Sequence, residues 1–226
     1  MPRPFVLLES VDTPEGPLEL RQRGEQDFMI TIGKRVLMSS MVHRSEVAVA
    51  ERACDTIRNR PAPRVLIGGL GLGYTLRATL NNVPKAASVQ VAELNPVVEK
   101  WCRGPLAVLT KNAVADRRVQ VVLGDVTTLI RKAAAAGAPK YDAIILDLYV
   151  GPGTLPKGKR DPLYGGEILR ASFAALTPGG VYTVWSEEPN ESFESRLTYA
   201  GFRGELIRAK GGGPRHAVYR ALKPKK

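Results

Sequence analysis

With 226 residues, 44% of them apolar, and a formal charge of +11, the chain is long enough for one fully cored domain and too apolar to be disordered. Two cysteines, Cys54 and Cys102, exclude a disulfide framework, and the widely separated His43 and His216 argue against a His-based metal site or triad, so no metal is expected. The opening MPRPFVLLES is too short an apolar run for a signal peptide and no run reaches membrane-spanning length, so the chain reads as cytoplasmic, with no membrane partner. About +8 of the charge sits in residues 196–226, which hold nine Lys/Arg and one acid, Glu205. Such an excess suits a solvated surface, a nucleic acid, an acidic lipid surface or an anionic substrate. The basic and aromatic interleaving of single-strand binders is missing.

In chain order, LELRQR, DFMITI and RVLMSS read as short strands, with hairpin breaks at Gly24 and Gly33. Ser45 to Asn59 has helical spacing, with Val47, Ala50, Ala53, Cys54 and Ile57 as its apolar stripe and Ser45 as its expected N-cap. Pro61 and Pro63 end it. Apolar β-type runs follow at 64–68, 88–93, 118–123, 141–147 and 180–185. Helix-like segments lie near 73–82, 95–109, 126–136, 165–176 and 190–200. This alternation predicts a parallel sheet with helices on both faces and right-handed crossovers. FRGELIRAK and RHAVYRAL, joined by Gly211-Gly212-Gly213-Pro214, read as a terminal antiparallel hairpin. The expected fold is therefore α/β and Rossmann-like, the class I methyltransferase layout. It has a mostly parallel seven-stranded sheet, a C-terminal antiparallel hairpin and a small β-hairpin region in front. The expected division is 1–44 for the β region and 45–226 for the main domain.

Chemistry concentrates at the ends of the apolar runs. In RVLIGGLGLGYTL a β-type run enters a turn with Gly68, Gly69, Gly71 and Gly73, and a helix follows. Such a turn lets backbone approach a nucleoside ligand. The dinucleotide spacing G-x-G-x-x-G fails at Tyr74 and at Leu76, which weakens an NAD or FAD reading. Glu93 closes the second run, where a carboxylate offers two oxygens to two ribose hydroxyls. Asp125 follows the third, placed for an adenine amine or for an N-cap. Asp147 closes YDAIILD, where apolar neighbours make an unused carboxylate costly. The Gly/Pro segment DLYVGPGTLP behind it is long enough to cover a site.

Residues 64–186 resemble the spermidine synthase family of aminopropyltransferases. The resemblance rests on VLIGGLGLG, VAELNP, GDV, YDAIILDLYVGP and LYGGEILRASFAALTPGGVYTVW. It implies S-adenosylmethionine or its decarboxylated form as cofactor, a small-molecule acceptor such as an amine, and a homodimer. Gly68, Gly69, Gly71 and Gly73 would then face the methionine-derived chain. Glu93 and Leu94 would meet the ribose, Asp125 and Val126 the adenine. Asp147 would match the first, catalytic Asp of the family's D-x-x-D motif, with the acceptor's proton passing to water or to Tyr149. Three positions depart from the family pattern. Gly71 stands where the family's glycine turn has Asp, the second Asp of D-x-x-D has no counterpart, and Arg44-Ser45 precede Glu46 in place of a Tyr-His pair. Two alternatives stay open: a methyltransferase acting on an anionic or nucleic-acid acceptor, and a non-catalytic nucleoside- or nucleic-acid-binding domain.

Overall fold

The computed structural model describes residues 3–153, 161–208 and 216–225. Four N-terminal strands, β1 (Val6–Val11), β2 (Leu18–Arg23), β3 (Asp27–Ile32) and β4 (Arg35–Ser39), form an antiparallel meander. β2 and β3 follow the period-2 pattern, burying Leu18, Leu20, Phe28 and Ile30 on one face. β1 was not expected. Its Val6, Leu7, Leu8 and Val11 stay exposed, so no alternation announces it.

Helix α1 (Arg44–Ile57) leads into the main sheet. Its N-cap is His43, not Ser45. Ser45 lies in the first turn, buried, and its hydroxyl bonds the Glu46 carboxylate instead of a backbone N–H. The buried stripe runs through Val49 rather than Val47.

The main sheet has the order β10-β11-β9-β8-β5-β6-β7. β5 (Arg64–Gly68), β6 (Ser88–Glu93), β7 (Val119–Leu123), β8 (Tyr141–Leu146) and β9 (Leu176–Ser186) run parallel. β11 (Ala217–Leu222) pairs antiparallel with β9 and with β10 (Arg203–Arg208). The expected seven strands and closing hairpin are thus present, while the glycine turn of that hairpin and residues 154–156 of the Gly/Pro segment lie outside the described residues. All six residues of β8 are buried, because helices cover both faces of a central parallel strand. Neighbouring side chains divide between two cores. Val65, Ile67 and Ile145 join the cluster under α1, α2 (Tyr74–Asn82) and the N-terminal sheet. Leu66, Ile144 and Leu146 join the one under α5 (Val126–Ala134), α6 (Gly166–Ala175) and α7 (Glu191–Tyr199).

The expected helix over 95–109 is broken into α3 (Pro96–Arg103) and α4 (Ala107–Thr110). Gly104 precedes Pro105, and a residue before proline is pushed out of helical conformation. At the opposite end of the sheet, Asp142 is buried and accepts hydrogen bonds from Arg64 N (2.7 Å), Thr177 Oγ1 (3.0 Å) and the Arg60 guanidinium. Some of the C-terminal basic charge also works inside the fold. Lys223 Nζ donates to Phe173 O and Leu176 O behind α6, and Arg220 pairs with Glu205. No helix among the described residues is long and apolar enough to cross a membrane.

Candidate functional site

The carboxyl ends of the parallel strands are stitched together beyond the strands themselves. Asp147 N donates to Gly68 O (2.9 Å), Gly69 N to Ala92 O (2.9 Å) and Gly124 N to Glu93 O (2.8 Å). Asp147, the glycine turn, Glu93 and Gly124-Asp125 therefore stand in one row. Three strand spacings give that row a length of roughly 14 Å.

The glycine turn leaves no room for side chains. Gly69 has φ +90°, and a Cβ there would stand 2.3 Å from Asp147 O. Gly71 has φ +51°, and its Cβ would stand 2.7 Å from Met38 Sδ of β4. Both positions need glycine for conformation, and Gly69 for space as well, since its Cβ would meet backbone while that of Gly71 would meet the end of a flexible side chain. Gly68 ends β5 above the buried Val126 side chain, and Gly73 is the N-cap of α2.

Glu93, only 7% exposed, clamps this turn. Its Oε2 accepts from Leu70 N (2.9 Å) and its Oε1 from Asn95 N (2.8 Å). Burial raises its pKa, and the backbone donors, led by Asn95 and Leu70, pull it part of the way back. Asp125 Oδ1 accepts from Thr127 N (2.8 Å), so this residue does cap α5. Beside Glu93 and Asp125, Leu94 and Leu123 are 69% and 50% exposed, an apolar step at the edge of the row.

Next to the turn opens a small cleft of about 40 Å³. Gly71, Gly73, Asp147 and Tyr149 line it, joined by Leu37, Met38, Glu46, Leu70, Leu72, Tyr74, Leu148 and Trp185. Gly68, Gly69, Glu93, Leu94, Asp125 and Val126 are not in that lining. They belong to the adjoining row. Among the described residues the lining holds two carboxylates, three aromatic rings and no lysine or arginine.

Asp147 is the most perturbed of these groups. Burial and the nearby Glu46 carboxylate push its pKa up to about 7, against a smaller opposing pull from the Thr75 hydroxyl. Thr75 Oγ1 lies within bonding distance of both Asp147 Oδ2 and Glu46 O. One hydroxyl hydrogen cannot serve two acceptors at once. When Asp147 is protonated it donates to Thr75, which donates to Glu46 O; when ionised it takes the Thr75 hydrogen. Tyr149 Oη donates to Glu15 of the β1–β2 turn (2.9 Å). Burial and that carboxylate raise its pKa to about 12.

Sequence spacing did not single out Met38, Thr75, Tyr74, Trp185 or Glu15. Trp185 carried a usable signal, a polar-tipped aromatic near the carboxyl end of β9. Met38 and Glu15 carried none, since tertiary packing of the N-terminal sheet brings them in. Of the two histidines, His43 stacks on Tyr74 (ring centroids 4.1 Å) and His216 reaches Ser45 across 171 positions. Among the described residues no group of three His, Cys, Asp or Glu side chains is placed to hold a metal ion.

The sequence model described as the spermine/spermidine synthase domain matches residues 56–199. The chain belongs to the spermine/spermidine synthase family. A polyamine aminopropyltransferase of Clostridium tetani is 28% identical over 130 residues, 57% of this chain and 43% of that protein. A polyamine aminopropyltransferase of Mycobacterium tuberculosis is 34% identical over 128 residues, 57% of this chain and 23% of that protein. The matches thus span less than half the length of these curated relatives. The crystal structure of spermidine synthase from Thermotoga maritima superimposes with a TM-score of 0.71 at 19% identity, covering 97% of this chain and 74% of that one. A spermidine synthase in complex with the transition-state analogue AdoDATO gives 0.71 at 18% identity, covering 97% and 73%. At such identities these structures speak for the fold alone, and they support the expected architecture.

Proposed function

We propose that this chain transfers an aminopropyl group from decarboxylated S-adenosylmethionine to an amine. The observation that carries the reading is the sign of the cleft. In a protein of net charge +11, the described residues that line it include Glu46 and Asp147 and no basic side chain. Such a cleft concentrates cations and repels phosphate, which counts against an anionic or nucleic-acid acceptor. Among the described residues of its lining there is also no side-chain cation to receive the carboxylate that intact S-adenosylmethionine carries, which favours the decarboxylated donor. The names of the curated relatives point the same way.

The residues of the row suit a nucleoside. Gly69 and Gly71, both at positive φ, hold the turn in a conformation that brings bare backbone to the row. Glu93, whose oxygens accept from Leu70 N and Asn95 N, is the carboxylate of the row placed to meet the ribose hydroxyls. Leu94, Leu123 and Val126 give an adenine ring apolar contact, with Asp125 beside them for its amine. When bound, the donor supplies a carbon made electrophilic by its bond to a sulfonium sulfur.

Asp147 is the proposed base. An ordinary carboxylate near pKa 4 is a poor match for an alkylammonium near 10. At about 7, Asp147 halves that gap and lies near the optimum for proton transfer at neutral pH. Tyr149, held by Glu15 with its pKa near 12, stays protonated and serves as wall and donor, which leaves Asp147 and water as proton acceptors. We assign the reaction to the cytoplasm and the working form to a homodimer.

The test is direct. The purified chain is incubated with decarboxylated S-adenosylmethionine and putrescine, cadaverine, agmatine or spermidine, and products are read by mass spectrometry. Methylthioadenosine formed in equal amount with an aminopropylated amine supports the reading. S-adenosylhomocysteine formed from S-adenosylmethionine, with no methylthioadenosine from the decarboxylated donor, overturns it.

A further inference from the structure

Glu46 stands in the cleft wall. Among the described residues no Lys, Arg or His comes within ion-pair distance of it, and the titratable groups it acts on are Asp147 and Tyr74. Its carboxylate is held from one side. Oε2 accepts from Ser45 Oγ at 2.6 Å, and Ser45 Oγ lies 2.9 Å from His216 Nδ1. An ionised carboxylate only accepts, so the single Ser45 hydrogen points at Glu46 and His216 Nδ1 donates to Ser45. Ser45 is 4% exposed, so water competes little for its hydroxyl. Trp185, itself in the cleft lining, packs against the His216 ring with centroids 5.0 Å apart. The arrangement joins the start of α1 to the residue before β11 and aims at one carboxylate.

We propose that Ser45 and His216 are positioning residues that fix the Glu46 carboxylate in the cleft wall, where it binds the ammonium of the acceptor amine beside Asp147. The proposal rests on the aminopropyltransferase reading above. A carboxylate fixed by a buried donor chain loses less freedom when it meets a cation than a mobile one does. Removing either link frees Glu46 to rotate into solvent, which weakens amine binding and leaves the donor's row untouched.

The experiment is steady-state kinetics with decarboxylated S-adenosylmethionine and the best amine of the panel, with thermal unfolding of each variant as a control. His216→Ala and Ser45→Ala are expected to raise KM for the amine about 10-fold, with kcat and donor KM moving less than about 3-fold. His216→Asn, which returns an N–H near Ser45, recovers most of the loss. The double variant Ser45→Ala/His216→Ala is no worse than either single one, because both cut the same chain. Equal losses for donor and amine, an unchanged amine KM, or additive losses overturn the proposal. If His216→Ala does not fold, Ser45→Ala and His216→Asn decide it. Transfer by the unaltered chain with unchanged variants defeats this proposal alone. No transfer by the unaltered chain defeats the functional reading and this proposal with it.

Discussion

Met38 Sδ occupies the place into which a side chain at Gly71 would project, 2.7 Å from the position of its Cβ. The family resemblance implies an acid at that point of the turn, and here a thioether from another sheet fills the space. Gly71→Asp is expected to destabilise the protein by about 2 kcal/mol, through overpacking and a residue held at φ +51°. Met38→Ala in the same chain should recover more than half of that. Urea unfolding of the two single variants and the double one measures both values.

Asp147→Asn should lower kcat at least about 100-fold, the usual contribution of a positioned base. It should also stabilise the protein, and the sign follows from the proton. The native pKa is raised from 3.8 to about 7, so the native state binds this proton more tightly than the unfolded chain. The benefit is complete below about pH 3.8 and is lost as pH climbs through about 7. The variant's Tm should therefore match the parent near pH 4 and exceed it by a few degrees at pH 8. A Tm difference independent of pH would refute the raised pKa.

The pH–rate profile should show Asp147 directly. Log kcat/KM, which reports the free enzyme, is expected to rise with unit slope below about pH 7 and to level off above it. Glu46→Gln removes the second cause of the raised pKa and leaves the larger one, burial. Its acid limb should move to lower pH by less than one unit. A shift to higher pH would contradict the repulsion between the two carboxylates.

Far from the cleft, Asp142→Ala should cost about 3 kcal/mol, because it orphans the half-buried Arg60 guanidinium, the Arg64 N–H and the Thr177 hydroxyl together. Denaturant unfolding reads the loss, and kinetic constants well below the new melting temperature should hold.

The main sheet is legible in the sequence because β5, β6 and β8 are buried on both faces and must be written as apolar runs. The row of Asp147, Gly69, Glu93 and Asp125 is legible for a related reason. In a parallel sheet every strand ends on the same side, so residues that close successive runs become neighbours. β1 is not legible, since its apolar residues bury nothing. Nor is Ser45, whose residue type suits an N-cap while the fold delivers His216 to its hydroxyl. Contacts such as Met38 to Gly71 and Glu15 to Tyr149 arise where two sheets meet, and no spacing within one segment encodes them.

The N-terminal sheet is a wall of the cleft as much as a cover. Leu37, Met38 and Glu46 all precede residue 56, where the match to the family begins, and His216 follows residue 199, where it stops. The sequence match thus covers the glycine turn, Glu93, Asp125 and Asp147, while Leu37, Met38 and Glu46 on the facing side lie outside it. A chimera that exchanged residues 1–55 with those of a relative would keep its grip on the donor and inherit a stranger's choice of partner for it.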